Sequence, residues 1–114
     1  MSKIINKIYL GTIKDAIDKE QLKANGITHI LVVAHEIPLF YPLDFTYKKI
    51  NAYDNDEYDI SEHFEVFNEF IALGCEVGAI LIHCTLGNSR SVSAVMSYLM
   101  TTKNYSFDKA LSLI

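Results

Sequence analysis

Residues 83–91, which read HCTLGNSRS, place a cysteine and an arginine in one short turn. Cys84 directly follows an apolar run, and Arg90 stands six positions later, where an apolar helical pattern begins. A turn from a strand into a helix offers backbone N–H groups without intrahelical partners and the positive end of the helix dipole. Gly87 suits such a loop because glycine tolerates a positive φ, and the guanidinium of Arg90 matches two oxygens of a phosphate. The turn therefore predicts a phosphate-binding cup.

The same cup would activate its own cysteine. The helix dipole and the charge of Arg90 both favour thiolate over thiol, so Cys84 is the candidate nucleophile. The hydroxyl of Ser91 could donate to the sulfur and help it to leave, and His83 is expected to hold the loop through its ring nitrogens. The alternative is a small buried cysteine beside a solvated arginine. The coincidence of thiol, loop glycine and guanidinium at one turn favours the catalytic interpretation.

The segments around this turn alternate between strand-like and helix-like periodicity. Two β-branched apolar runs are typical of strands covered on both faces. Strands alternating with helices predict an α/β fold of three layers, with a mostly parallel central sheet of four to five strands and helices on both faces. Ligands bind at the carboxyl ends of such strands, where this turn lies. The predicted strands are 7–11, 28–34, 45–50 and 79–83. Four helices are predicted. The first covers 12–25 and is stopped by Gly26, the second is capped by Asp59 or Ser61 and ends at Gly74, the third covers 92–103, and the last is capped by Ser106.

The composition describes one globular domain over residues 1–114. The chain has 114 residues, of which 50% are apolar, so it can bury one core. Its formal net charge is −4 at pH 7, and without a basic surface no nucleic-acid partner is expected. No apolar run reaches the ~20 residues of a membrane span. Two cysteines, Cys75 and Cys84, favour a reducing compartment, so we expect a cytoplasmic protein, with the nucleus as the alternative.

The motif His-Cys-x5-Arg-Ser in residues 83–91 resembles the phosphate-binding loop of the cysteine-dependent protein tyrosine phosphatases. Among these the chain is most similar to the dual specificity phosphatases: IYLG with Asp15-Ala16 resembles the start of their domain, GITHILVV their second strand, and SVSAVMSYLM the helix after the loop. The resemblance implies a phosphocysteine intermediate on Cys84, and it implies no metal and no cofactor. The residues expected to bind the phosphate are Thr85, Leu86, Gly87, Asn88, Ser89 and Arg90.

The resemblance also implies an aspartate that protonates the leaving oxygen, from a loop that precedes the cysteine. Asp54 occupies the matching place in KKINAYDNDEYDIS, and Asp56 is the alternative. General acid catalysis of this kind contributes roughly 10²–10⁴-fold. The non-catalytic interpretation of each acidic residue here is a solvated loop charge or, for Asp59, a helix cap.

Three functional hypotheses stay open at the level of sequence. We expect a protein phosphatase that acts on phosphotyrosine and on phosphoserine or phosphothreonine, with a phosphorylated protein as partner. The alternatives are a phosphatase of the same mechanism acting on a phosphoinositide or an RNA 5′-phosphate, and a non-catalytic phosphate-binding scaffold. The loop carries no lysine, which favours a phosphoprotein over a highly anionic inositol phosphate. A phosphate or sulfate ion is also expected to bind in the loop.

Further expectations concern the edges of the domain. The resembled family continues with helices beyond the position of Ile114, so the chain is expected to lack these C-terminal helices and to be able to dimerise through the face left by them. Cys75 is expected to be a packed small residue, with a reversible disulfide to Cys84 as the alternative. One or two tyrosines are expected to line the site entrance, and the rest to be half-buried. The tyrosines concerned are Tyr41, Tyr47, Tyr53 and Tyr58.

Overall fold

The structure is a computed structural model, and it describes residues 1–53, 59–85 and 89–114. Its strands are β1 (Ser2–Ile5), β2 (Ile8–Gly11), β3 (Ile27–Val33), β4 (Thr46–Ile50) and β5 (Ala79–His83). Its helices are α1 (Ile13–Ala16), α2 (Lys19–Ala24), α3 (Phe64–Val77), which follows a 3₁₀ turn (Ile60–His63), α4 (Ser89–Thr101) and α5 (Phe107–Ser112). The strands form one sheet in the order β1-β2-β5-β3-β4, parallel except for β1, which pairs antiparallel with β2. The predicted α/β fold with a mostly parallel sheet is confirmed.

Helices cover both faces of the sheet, and each face has its own apolar cluster. One cluster packs α3, α4 and α5 against the sheet, with Phe67 and Leu99 fully buried. The other cluster packs α1, α2 and the loop after β3 against the opposite face, around Leu22 and Phe45. Side chains of β3 and β5 belong to both clusters, which explains why these strands are continuous apolar runs. No helix in the described part of the chain combines the length and the apolarity that a bilayer span requires.

The sequence pattern does not predict β1, because no glycine or proline marks the turn that joins it to β2. Lys7 makes this turn with a φ of 73°. This left-handed conformation costs a non-glycine residue roughly 1–2 kcal/mol. The Nζ atom of Lys7 donates a hydrogen bond to the carbonyl of Cys75 at 3.3 Å, which attaches the turn to the last turns of α3.

The single helix predicted over 12–25 is wrong, because α1 and α2 are separate. The side chain of Asp18 accepts a hydrogen bond from the backbone N–H of Gln21 at 3.1 Å. Asp18 therefore caps a new helix at the point where the first would have continued. Gly26 follows the end of α2 with a φ of 73°, so its predicted role as a stop is confirmed.

Gly74 does not end α3, as the sequence predicts, because the helix runs on to Val77. A Cβ atom at Gly74 would lie 3.0 Å from the Cβ of Ile80. The glycine therefore marks the close approach of α3 to β5. The carboxylate of Asp59 accepts a hydrogen bond from the N–H of Ser61 at 3.1 Å, so Asp59 caps the 3₁₀ turn that leads into α3.

His83 ends β5 and is fully buried. Burial lowers the pKa of its imidazole to about 4, because the charged form would lose its hydration; the adjacent backbone of Cys84 and the charge of Asp15 oppose this shift. Among the described residues, neither ring nitrogen of His83 has a hydrogen-bond partner. The backbone of Cys84 nevertheless acts on the imidazole, since it raises the pKa, and the expectation that the ring nitrogens hold the loop stays a prediction. At neutral pH, His83 is an uncharged side chain of the core.

A buried neutral histidine makes stability depend on pH. The unfolded chain binds a proton at His83 near pH 6.5 and the folded chain only near pH 4, so protonation favours unfolding between these values. We expect this group to lower the free energy of unfolding by up to about 3 kcal/mol as the pH falls through that range. Urea denaturation at a series of pH values measures the effect.

His83→Gln should remove this part of the pH dependence. His63→Gln, at a histidine that is only partly buried, is the matched control and should retain it. If His83→Gln lost as much free energy of unfolding as the wild type when the pH falls from 6.5 to 4, His83 would not be the group responsible for this pH dependence.

Candidate functional site

Three neighbouring strands end at one edge of the sheet, and the residues that follow them meet there. Glu36 comes shortly after β3, Ala52 shortly after β4, and Cys84 and Thr85 directly after β5. Parallel neighbours bring their carboxyl ends to the same edge, which is where ligands bind in sheets of this kind. The turn singled out by the sequence therefore lies among groups that are far from it in the chain.

Cys84 and Ser91 form a buried pair. Only 1% of the surface of Cys84 and 0% of that of Ser91 is exposed. The Sγ atom of Cys84 lies 3.2 Å from the Oγ atom of Ser91, within hydrogen-bond distance. Cys84 follows β5 and Ser91 lies in the first turn of α4, so the strand-to-helix turn brings them together. A hydroxyl in this position can donate to a thiolate and so stabilise a sulfur that attacks or leaves.

Arg90 is 5% exposed, although its guanidinium carries a charge at every physiological pH. A charge this buried requires acceptors. Its Nη1 atom donates to Oε1 of Glu36 at 2.8 Å and to the carbonyl of Ala52 at 3.0 Å. Its Nη2 atom donates to Oε2 of Glu36 at 2.7 Å and to the hydroxyl of Thr85 at 3.3 Å. The arginine of the turn is thus held by the loops that follow β3 and β4.

Glu36 is a site residue that the sequence analysis misses. The hydrogen bonds from Arg90 hold the pKa of the Glu36 carboxyl far below its usual range. Partial burial of the carboxylate opposes this shift, and the hydroxyl of Thr85, which also donates to the carboxylate, adds to it. Glu36 is therefore ionised throughout the physiological pH range. In the sequence, a glutamate close to Pro38 indicates only a solvated loop. The signal that could have found it is its place just after β3, at the ligand-binding edge.

The described residues bring together part of the predicted site. Ser89 begins α4, and its carbonyl accepts a hydrogen bond from the hydroxyl of Ser93 at 2.8 Å. In the described part of the chain, no group of three histidine, cysteine or acidic side chains could hold a metal ion. The structure brings together Cys84, Thr85, Arg90 and Ser91. Five predicted site residues lie outside the described residues: Asp54, Asp56, Leu86, Gly87 and Asn88.

One described tyrosine lies at the edge of this site. The ring of Tyr53 stacks on that of His35 with centroids 4.1 Å apart, next to Glu36 in the chain, and 48% of Tyr53 is exposed. Tyr41 and Tyr47 have structural roles. The hydroxyl of Tyr41 donates to the carbonyl of Ile17 at 2.6 Å, and the hydroxyl of Tyr47 accepts from the N–H of Tyr41 at 3.0 Å. The fourth tyrosine of the prediction, Tyr58, lies outside the described residues.

Cys75 is remote from Cys84. Cys75 lies in the last turns of α3, which lead into the start of β5, whereas Cys84 follows the end of that strand. A five-residue strand spans roughly 16 Å, and a disulfide requires Cα atoms within about 7 Å. Both thiols are free, and burial raises the pKa of Cys75. The alternative of a disulfide between them is therefore wrong for this fold, and Cys75 is the packed residue that was expected.

Comparison with known proteins identifies the family. The model of the family described as dual specificity phosphatase, catalytic domain, matches residues 8–114. MAP kinase phosphatase with leucine-rich repeats protein 2 of Dictyostelium discoideum is 46% identical over 110 residues, which are 96% of this chain and 16% of that protein. Dual specificity protein phosphatase 1B of Arabidopsis thaliana is 37% identical over 115 residues, which cover 100% of this chain and 69% of that protein.

A solved structure gives the same result for the fold. The crystal structure of DUSP15 superposes with a TM-score of 0.89 at 35% identity, covering 98% of this chain and 72% of that one. The chain spans only a small part of the Dictyostelium relative and about two thirds of the Arabidopsis one. The resemblance of the HCTLGNSRS turn and its neighbouring segments to one family is confirmed over nearly the whole chain. The chain belongs to the family of dual specificity phosphatase catalytic domains.

Proposed function

We propose that this chain is a protein phosphatase that hydrolyses phosphotyrosine and phosphoserine or phosphothreonine through a phosphocysteine on Cys84. The observation that carries the proposal is the buried pair of Cys84 and Ser91, 3.2 Å apart, at the same strand-to-helix turn as a buried Arg90. A small buried cysteine of the core has no need of an adjacent hydroxyl donor and a guanidinium. Family membership supports the same reaction.

In the first step, the Cys84 thiolate attacks phosphorus and forms the S–P bond while the bond from phosphorus to the leaving oxygen breaks. Asp54 gives its proton to that oxygen, so the leaving group departs as an alcohol or a phenol. Arg90 and the loop N–H groups hold the equatorial oxygens, where charge is concentrated in the transition state.

In the second step, water attacks phosphorus and the S–P bond breaks. Asp54, now ionised, takes the proton from water, and the electron pair of the broken bond returns to sulfur as the thiolate. The hydroxyl of Ser91 donates to the departing sulfur, a role for which its distance to Sγ is suitable. Inorganic phosphate leaves, and the starting state of the chain is restored.

A phosphoprotein is the substrate class that the loop favours. Thr85, Leu86 and Asn88 add no positive charge that would suit a polyanionic inositol phosphate, and the net charge of −4 disfavours RNA ends. The printed names of the relatives, a MAP kinase phosphatase and a dual specificity protein phosphatase, agree with a protein substrate. Binding of free phosphate or sulfate in the loop, a location in the cytoplasm or nucleus, and dimerisation stay predictions.

Replacing Cys84 by serine tests the function. Cys84→Ser should lower the hydrolysis of phosphotyrosyl, phosphoseryl and phosphothreonyl peptides on the order of 10³-fold or more, because a hydroxyl is a poor nucleophile without its own base. The measurement is phosphate release from a panel that also contains phosphoinositides and RNA 5′-phosphates.

Cys75→Ser is the matched control, since it removes the other cysteine, which lies at the opposite end of β5, and should leave the rates unchanged. Cys84-dependent release from phosphoinositides or RNA alone would overturn the protein-phosphatase proposal. Release from no member of the panel would leave the phosphate-binding scaffold as the function.

The general acid is tested by the quality of the leaving group. Asp54→Asn should slow esters with poor leaving groups, such as alkyl phosphates, by about 10²–10⁴-fold. The hydrolysis of esters with good leaving groups, such as aryl phosphates with electron-withdrawing substituents, should be slowed far less, because such a leaving group departs without receiving a proton. Asp56→Asn is the matched control two residues away. If Asp56→Asn shows the leaving-group dependence and Asp54→Asn does not, the acid is Asp56.

The role of Ser91 is tested in the second step. Ser91→Ala should lower kcat by about 10- to 100-fold, the rate equivalent of a hydrogen bond to a charged group, and should cause phosphocysteine to accumulate. Rapid quenching and mass spectrometry of the intact chain measure the phosphorylated fraction. Ser97→Ala is the control, because Ser97 is also buried in α4 and bonds to Asn68 instead. Slower turnover without accumulation of the intermediate would contradict a role in breaking the S–P bond.

A further inference from the structure

A cavity of about 410 Å³ lies at the end of the sheet opposite to Cys84. It is bounded by the turn between β1 and β2, the last turns of α3 and the turn that follows α4. We infer that this cavity is a second binding site of the chain, which binds the phosphate group of a small organic phosphate through Lys7 and Lys103. The proposed reaction uses neither of these residues, so the inference goes beyond the proposed function.

Two lysine side chains, those of Lys7 and Lys103, line the cavity, and in the described part of the chain neither forms an ion pair with an acidic residue. No acidic side chain is among the described residues of the lining. A third cation lies behind the rim, because Nζ of Lys109 is 4.1 Å from the centre of the Tyr105 ring, which lines the cavity. The chain as a whole carries a net charge of −4, so this is a local excess of positive charge that favours an anion.

The backbone holds both lysines in place. Lys7 has a left-handed φ of 73°, and its carbonyl accepts a hydrogen bond from the N–H of Ile80 at 2.9 Å, where β5 begins. Lys103 lies in the turn after α4, where its N–H donates to the carbonyl of Tyr98 at 3.3 Å and Asn104 has a φ of 60°. Cations on two fixed turns form a preorganised site, which reduces the entropy that binding costs.

A neutral donor accompanies the two ammonium groups. Tyr98 lines the cavity, and burial raises the pKa of its phenol; the neighbouring Cys75 adds to this shift. Burial also raises the pKa of Cys75, whereas the charges of Lys103 and Lys7 lower it, so both lysines lie close to one thiol. Tyr98 is therefore an uncharged hydroxyl at neutral pH. Two ammonium groups and a hydroxyl are the donors that a phosphate dianion accepts.

The size of the cavity and its other walls favour a phosphate that is carried on an organic body. A volume of about 410 Å³ lies in the range of small-molecule sites, roughly 300–1,000 Å³. An ion of a few atoms would fill only a small part of it. Ile5, Ile8 and the ring of Tyr105 supply apolar surface on which a ring can pack.

The probes are phenyl phosphate and inorganic phosphate, added to the Cys84→Ser chain so that the ester is not hydrolysed. Backbone amide resonances in ¹⁵N-edited NMR report on each site separately. With phenyl phosphate, we expect saturable shifts at Ile8 and Tyr105, with a Kd that differs from the one read at Ser91 in the catalytic turn. Inorganic phosphate should bind more weakly at Ile8 and Tyr105, and equal binding of the two probes there would overturn the organic body of the ligand.

Lys103→Gln and Lys7→Asn each remove one charge, and asparagine tolerates the left-handed φ of the turn. We expect the Kd read at Ile8 and Tyr105 to rise by about 10- to 100-fold in each variant, the equivalent of a hydrogen bond to a charged group. Lys14→Gln, at an exposed position of α1 beyond the other end of β2, is the matched control and should bind as the parent chain does. The absence of saturable shifts in the parent, or an unchanged Kd in both lysine variants, overturns the inference.

A second measurement separates a binding site from a purely structural role. If the lysines only complemented the carbonyl end of α3, where Nζ of Lys7 bonds to the carbonyl of Cys75, their removal would lower stability and leave binding unchanged. Cys75 borders the cavity and is the one cysteine left in Cys84→Ser. Phenyl phosphate should slow the alkylation of Cys75 by iodoacetamide, measured by mass spectrometry, and Lys103→Gln should abolish this protection.

Alkylation of Cys75 at the same rate with and without phenyl phosphate overturns the inference. Both measurements use a chain without its nucleophile, so their outcome is independent of the proposed function. A wild-type chain that hydrolyses no phosphopeptide overturns the proposed function and leaves the second site as it is.

Discussion

The buried guanidinium of Arg90 is the constraint on which the rest of the site depends. A charge that is 5% exposed would oppose folding unless acceptors surround it. The fold supplies them from three places: Glu36 after β3, Ala52 after β4 and Thr85 after β5. These strands are adjacent and parallel, so their carboxyl ends coincide and one side chain can join all three loops. The order β5-β3-β4 of the sheet is therefore a condition for this arrangement.

The positive charge beside the candidate nucleophile comes from Arg90 and not from His83. Burial keeps the imidazole of His83 neutral at physiological pH, with a pKa of about 4, even though this residue is the chain neighbour of Cys84. Glu36 offsets part of the charge of Arg90 through an ion pair of 2.7 Å. Among the residues that the structure describes, Arg90 and Glu36 are thus a cation and an anion that both keep their charge in the physiological pH range.

The sequence predicts what depends on local pattern. The β-branched runs of β3 and β5 predict strands that both apolar clusters cover. The pattern around Cys84 and Arg90 predicts a turn from a strand into a helix, and β5 and α4 flank it. What it does not predict depends on contacts between distant segments. Glu36 acquires its role from an arginine in another element, Gly74 is explained by the proximity of Ile80, and Lys7 makes a turn that usually calls for glycine.

The residues that build the site oppose folding when each is considered alone. A buried arginine and a neutral buried histidine each have favourable hydration in the unfolded chain that the folded chain gives up. The apolar clusters on the two faces of β3 and β5 offset this cost, since the same strands that end at the site form the centre of both clusters. Stability and site geometry are therefore coupled through two strands. A change of volume within β3 or β5 shifts the ends from which Glu36 and Cys84 start, because close-packed interiors transmit strain.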